Sequence, residues 1–230
     1  MCSSDLVDAA RYVAAMLILA LLGCNPDPGE GPFALAFDGG EDCVVAELDG
    51  VETPAALTIE LWMRGTPDDD ARSRPYAEWK GLFSLADSSG DTVFSVGDSE
   101  GASLAETLMD GVLHHVAGTW DGAEASLWVD GQRKAFSDAG TLNATSTLRI
   151  GCNAAVDAYD GLLDEVRLSS TARYTETFER PSEPFAVEDD TIVLFHFDEG
   201  TGEETLDSAS GIVAGAYGVE WVPFRIGTEG

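Results

Sequence analysis

The residues of this chain whose types could do chemistry are its three histidines, His114, His115 and His196, and a large surplus of carboxylates. Glycoside hydrolysis in a β-strand needs two carboxylates on one face, the arrangement an acid-x-acid-x-x-acid strand delivers. That spacing does not occur here. Asp164 and Glu165 are adjacent, so a regular strand aims them at opposite faces, and Glu203-Glu204 falls in a turn-rich segment. A serine nucleophile would be announced by a Gly-x-Ser-x-Gly elbow, which is missing from the sequence. Neighbouring His114 and His115 cannot both reach one metal from a regular strand; one inward, hydrogen-bonded ring and one solvated ring are expected. No catalytic residue is assigned, and the chain is not expected to be an enzyme.

Charge narrows the partners. Of 230 residues, 42 are acidic and 12 basic, a net charge of −30. Such a field repels phosphate backbones and anionic lipid, which excludes nucleic acid as a partner, while divalent cations are favoured. With Cys2 and Cys24 set aside, Cys43 and Cys152 remain. In an oxidising compartment they either form a disulfide or stay as two buried thiols. No C-x-x-C spacing supports a zinc or redox motif.

An apolar run from Tyr12 to Gly23 ends at Cys24 and is followed by Pro, Gly, Asp and Glu. It is too short to cross a bilayer, which takes about 20 apolar residues. The run resembles the lipobox of a bacterial lipoprotein signal peptide. That resemblance implies cleavage before Cys24, lipidation of Cys24 and a place in the bacterial cell envelope, at the outer membrane or cell surface, with membrane contact through the lipid alone. Asp5 and Asp8 stand where a basic region belongs, and Met1–Leu6 reads like translated adapter sequence. The expected organisation is a leader over 1–23, a tether over 24–32, one domain over 33–226 and a tail over 227–230.

The elements that must position any site are short strands. Leu57, Ile59, Leu61 and Met63 alternate with Thr58, Glu60, Trp62 and Arg64, the period of a strand with one face in a core; Trp62 implies that the other face is partly covered or forms a groove. Asp-Gly pairs at Asp38, Asp49, Asp110, Asp121, Asp130 and Asp160 tolerate the positive φ of tight turns. His114–Trp120 and Ala125–Val129, separated by Asp121-Gly122 and followed by Asp130-Gly131, make an antiparallel meander. Strands are also expected over Thr147–Gly151, Leu162–Leu168, Thr191–Phe197 and Val219–Phe224. Gly65–Gly81 and Asn153–Gly161 read as long surface loops. Beyond the leader only a turn near Ser170–Tyr174 has a helical signal. Strands without helices mean an all-β sandwich or barrel.

The order of these pieces resembles the laminin G-like, concanavalin A-like jelly rolls. The resemblance is carried by Ala34-Leu35-Ala36-Phe37-Asp38-Gly39, Leu57–Trp62, His115–Gly122, Leu127–Gly131, Arg149-Ile150-Gly151 and Gly161–Leu168. It implies a two-sheet antiparallel β-sandwich. In many relatives a piece like Leu194–Gly200, with Asp207, Ser208 and Gly211, opens the domain; here it comes last, and either supplies an edge strand or begins a second module. Related glucanase-like sandwiches carry a structural ion at positions matching Asp38 and Asp164, which implies one structural calcium there; the other reading has Asp38 capping its own turn and Asp164 pairing with Arg167 or Arg149.

For a ligand, aromatic rings that stack on a sugar are the useful residues. Trp62, Tyr76, Trp79 and Tyr159 fall on a groove strand or in the long loops; core packing is their competing role. Trp120, Trp128 and Trp221 are expected to fill the core or frame the sandwich. The expectation is a non-catalytic envelope module that binds a polysaccharide or other glycan. The alternatives are a module that adheres to an envelope or surface protein, and a glycoside hydrolase-like enzyme.

Overall fold

The computed structural model describes residues 32–67, 72–155 and 157–226. The leader, the tether up to residue 31, Cys24 and the tail lie outside them. Among the described residues there is no helix; sixteen strands form two antiparallel sheets of eight.

The first sheet runs β10 (Gln132–Asp138), β9 (Glu124–Val129), β8 (His114–Trp120), β3 (Leu57–Gly65), β12 (Asp160–Ser169), β1 (Phe33–Asp38) and β16 (Glu220–Pro223). The ten-residue length of β12 lets its end half also take β13 (Thr191–Phe195), beside the half that pairs β1. The second sheet runs β14 (Glu204–Leu206), β15 (Val213–Tyr217), β2 (Cys43–Glu47), β11 (Thr147–Ile150), β4 (Ser73–Trp79), β5 (Phe83–Ser88), β6 (Asp91–Val96) and β7 (Ala102–Leu104). The segment from Leu194 onward is therefore hydrogen-bonded into both sheets, through β13 and β16 in the first and β14 and β15 in the second.

Strand period decides what fills the space between. Leu57, Ile59, Leu61 and Met63 from β3 meet Val44 and Ala46 from β2, Leu148 and Ile150 from β11, and Phe83 and Leu85 from β5 in one core. Thr58, Glu60 and Trp62, on the other side of β3, are buried as well. They are covered by a strap, residues 170–190, which crosses the outer face of the first sheet without regular structure. Trp62, Leu113, Phe185, Leu194 and Ile226 form a second apolar cluster under it.

Turn chemistry holds in most places and fails in one. Asp130 (φ 49°) and Gly131 (φ 77°) both take left-handed backbone between β9 and β10, the mirror-image turn that suits a twisted hairpin. Asp160-Gly161, read as a turn, instead opens β12, with Phe37 and Asp38 opposite on one side and Gly65 on the other. Glycine is needed there because a Cβ would strike the Arg64 carbonyl. The expected loop Gly65–Gly81 contains β4. Pro75 enters this strand at a register shift between Pro75 and Ala77, where the ladder is already interrupted.

Cys43 and Cys152 form a disulfide with Cα atoms 5.2 Å apart, tying β2 to the residue that follows β11 by two. Trp120 joins the main core, Trp221 packs partly buried against it, and Trp128 lies on the strap side against Tyr174 and Phe178.

Candidate functional site

The chemistry-bearing side chains gather on the outer face of the first sheet, beneath the strap. Glu60 is fully buried, and its carboxylate accepts hydrogen bonds from Arg167 Nε at 2.9 Å and the Tyr174 hydroxyl at 2.6 Å, with His115 Nε2 at 3.2 Å. Burial opposes its charge, but His115 and Arg167 outweigh burial and hold the carboxyl below its ordinary range. Arg167 also donates to the Ala186 carbonyl, and Arg173 reaches Glu188 and Asp190. Tyr174 and Phe178 stack at 3.7 Å over the same patch. Every charged group in this network is answered by another, and the network fastens the strap to the sheet.

His114 and His115 diverge as neighbours on a strand do, but the ring expected to be solvated is instead held by two carboxylates. His115 is buried against Glu60, while His114 Nδ1 lies 2.7 Å from Asp130 and Nε2 lies 3.3 Å from Asp110. Burial works against a charged His114 ring, and the two carboxylates reverse that, raising its pKa.

One expectation about the carboxylates is corrected. Asp164 and Glu165 do not point to opposite faces, because a bulge sits between Asp164, opposite Trp62, and Arg167, opposite Glu60. Glu165 is left-handed, φ 52°, which leaves Leu163 and Val166 in the main core and puts Asp164 and Glu165 on the same outer side. Glu165 accepts the Phe185 N–H at 2.6 Å and holds His196 Nδ1 at 2.6 Å. Burial, then the neighbouring charges of Glu165 and Asp198, push the Asp164 carboxyl up to about 9. Both carboxylates are buried, so a saccharide cannot come between them.

The sequence-predicted sites fare differently. Asp38 lies opposite Asp160 in the β1–β12 register, four residues along β12 from Asp164. At a strand rise of 3.3 Å per residue that separates them by about 13 Å, too far to share one calcium ion. Asp38 does accept a hydrogen bond from the Gly40 N–H, 2.8 Å, and so caps its own turn. Among the described residues no three His, Cys, Asp or Glu side chains converge as a metal site. Trp62, Tyr76, Trp79 and Tyr159 are at most 1% exposed. Tyr76 and Tyr159 meet edge to face in the core, Trp79 Nε1 donates to the Thr145 carbonyl, and Trp62 lies under the strap with Arg180 over its ring. A ring sealed on both faces cannot stack on a sugar, so the groove of Trp62, Tyr76, Trp79 and Tyr159 is corrected to two buried cores.

The open face belongs to the second sheet, and sequence reasoning missed it. On β15, Ala214 and Ala216 point into the core while Val213, Gly215 and Tyr217 point out. A Cβ on Gly215 would collide with the far end of the Tyr217 ring, so that ring lies along the sheet over the glycine, 56% exposed. Val45 of β2 stands opposite Gly215, Cys43 opposite Tyr217, and Glu204 of β14 opposite Gly215 on the other side. Val45, Glu47, Glu203, Glu204, Val213, Gly215 and Tyr217 line a depression of about 490 Å³. The available signal was the alternation Val213-x-Gly215-x-Tyr217, a small residue two places before an aromatic on one face.

The fold is an antiparallel two-sheet sandwich of the jelly-roll kind. The chain belongs to the concanavalin A-like lectin/glucanases superfamily, whose Laminin G family model matches residues 38–177. No curated protein is detectably similar in sequence. Among solved structures it is similar to a protein of Bacteroides ovatus ATCC 8483 provisionally described as carbohydrate binding, at 16% identity and a TM-score of 0.68, over 84% of this chain and 60% of that one. It is also similar to the SAP-like pentraxin of Limulus polyphemus, at 14% identity and a TM-score of 0.50, over 80% and 95%. Domains LG4-5 of the mouse laminin alpha1 chain share 17% identity at a TM-score of 0.48, over 66% of this chain and 47% of that one. At these identities the likeness is one of fold.

Proposed function

We propose that this domain is a non-catalytic carbohydrate-binding module whose ligand lies on the outer face of the second sheet, across Tyr217. The observation that carries the reading is the Tyr217 ring held flat over Gly215, exposed, beside the apolar floor of Val45 and Val213. A pyranose offers an apolar face of C–H groups that an open ring can cover, and hydroxyls around its edge that the flanking carboxylates can accept from. Family membership and the Bacteroides ovatus protein's description agree with this class of ligand. The buried state of Asp164 and Glu165 argues for binding without hydrolysis. Carried on a lipid-linked Cys24, the module would present this face at the envelope surface.

A glycan array probed with the protein and with Tyr217→Ala tests the reading. Glycans bound by the first and lost, by about tenfold in Kd or about 1.4 kcal/mol, from the second are expected. An array silent for a folded protein, or binding indifferent to Tyr217, sinks it and favours adhesion to protein.

A further inference from the structure

We infer that the Tyr217 face selects glycans bearing free amino groups, cationic amino sugars, over their N-acetylated and acidic counterparts. The inference rests on the carbohydrate reading and adds the ligand's charge to it.

The ring and its floor supply a platform without preference among sugars, since most pyranoses have a C–H face. What surrounds the ring is one-sided. The depression is lined by three glutamates, Glu47, Glu203 and Glu204, all exposed, and by no cation. Strand pairing fixes where two of them stand. Glu204 is directly across from Gly215, so its carboxylate starts one strand away from the glycine that the ring covers. Glu47 ends β2 on the same outer side as Val45, with its carboxylate accepting the Thr147 hydroxyl at 3.1 Å. Glu203 precedes Glu204, and its carbonyl takes the Ala216 N–H, which pins that turn to β15. The nearest cation in the register is Arg149, opposite Val45, and Glu78 of β4 faces it from the other side.

Carboxylates can only accept hydrogen bonds, so each must find a donor on the ligand. A neutral hydroxyl serves, but an ammonium forms a charge-assisted bond roughly twice as strong. Uronic, sialylated, sulfated or phosphorylated sugars would bring like charge against these groups and against a chain of net charge −30. An N-acetyl group removes the ammonium and adds bulk beside the ring. Platform and rim together define an amine-bearing sugar as the complementary ligand.

The test is calorimetric titration of the protein with a β-1,4-linked glucosamine tetramer and with its fully N-acetylated counterpart. The titration is run at about pH 5.5, where the amines of the glucosamine tetramer are charged. Glucosamine tetramer binding at least tenfold tighter than the acetylated form is expected, with the margin shrinking as salt rises from about 0.05 M to about 0.3 M. Glu47→Gln, Glu203→Gln and Glu204→Gln combined should abolish the preference, while Tyr217→Ala weakens both ligands. Equal, Tyr217-dependent affinity for the two tetramers overturns the charge inference and leaves the carbohydrate reading standing. Glucosamine binding unchanged in both variants is general attraction to an acidic protein and overturns it. A tetralysine peptide matching the glucosamine tetramer in affinity and in dependence on Tyr217 overturns it in favour of a basic protein partner. Neither tetramer binding also overturns it, and the glycan array then decides the broader reading separately.

Discussion

The Tyr217 ring rests over Gly215, two residues earlier on the same strand, and no other side chain at 215 leaves room for it there. Gly215 has an ordinary strand backbone, so alanine strains nothing but the ring, whose end is free to swing into solvent. Gly215→Ala is expected to leave the unfolding free energy in urea within about 0.5 kcal/mol of the parent while weakening glycan binding about tenfold. Loss of stability together with binding would mean that the ring is part of the core.

Trp62 and Trp79 should behave as core residues. Trp62→Ala and Trp79→Ala are each expected to cost about 3–5 kcal/mol in urea denaturation, since a large buried ring leaves a cavity. A Trp62→Ala protein of parental stability that fails to bind sugar would restore the groove that burial removes.

Glu60 anchors the strap, and its partners are unequal. Removing the buried carboxylate with Glu60→Ala leaves Arg167 without its buried partner and should cost about 3–5 kcal/mol. Tyr174→Phe removes one hydrogen bond to a charged group and should cost about 1.5–3 kcal/mol. Limited proteolysis should then cut within 170–190 before the rest of the domain. Cleavage elsewhere first would show that the network does not hold the strap.

Asp164 should make stability fall as pH rises. In the folded chain the carboxyl keeps its proton to about 9, whereas the unfolded chain releases it near the ordinary 3.8. The folded state binds more protons between those values, so stability declines across that window, the reverse of a salt-bridged carboxylate. His196, raised in the folded state by Glu165 against the effect of burial, adds in the same direction: its contribution is full at low pH and is lost as pH rises through the folded value. Glu60 and Asp130 act oppositely, so the difference between parent and Asp164→Asn is the quantity to measure. Asp164→Asn should gain on the parent by at least about 1 kcal/mol between pH 5 and pH 8 in chemical denaturation. A constant difference across that range would place the carboxyl near its ordinary value.

The Cys43–Cys152 disulfide closes a separation of 109 residues and lies beside the Tyr217 face, since Cys43 pairs with Tyr217. Cys43→Ala with Cys152→Ala should lower stability by about 2–5 kcal/mol, as cross-links of long loops do. Alkylation after denaturation without reductant should label neither cysteine in the parent protein.

Much of the architecture was readable in one dimension because it rests on local periodicity. Alternation along Leu57–Met63 required a strand with a core face, and Asp130-Gly131 required a left-handed turn; both are properties of a few consecutive residues. Elements that break their own local pattern were not readable. Ser73–Trp79 looks like a loop because of Pro75, and becomes a strand only because a register shift accommodates the proline beside Ala86 of β5.

The site depended on more distant decisions. The sequence by itself determined an acidic, all-β chain with aromatics to spare and a cysteine pair free to join. It could not say which aromatics would be covered, because the covering is done by residues distant in the chain: the strap at 170–190 lies over Trp62, Tyr76 and Tyr159 meet each other in the core, and Trp79 reaches the Thr145 carbonyl 66 positions on. Nor could it place Asp164 and Glu165 on one side, since a bulge depends on what the partner strand can pair with. Tertiary structure alone decided that Tyr217 stays uncovered, because the outer face of β14, β15 and β2 has no second layer over it among the described residues. Burial is a property of what arrives from elsewhere in the chain, and periodicity records only which side a residue faces.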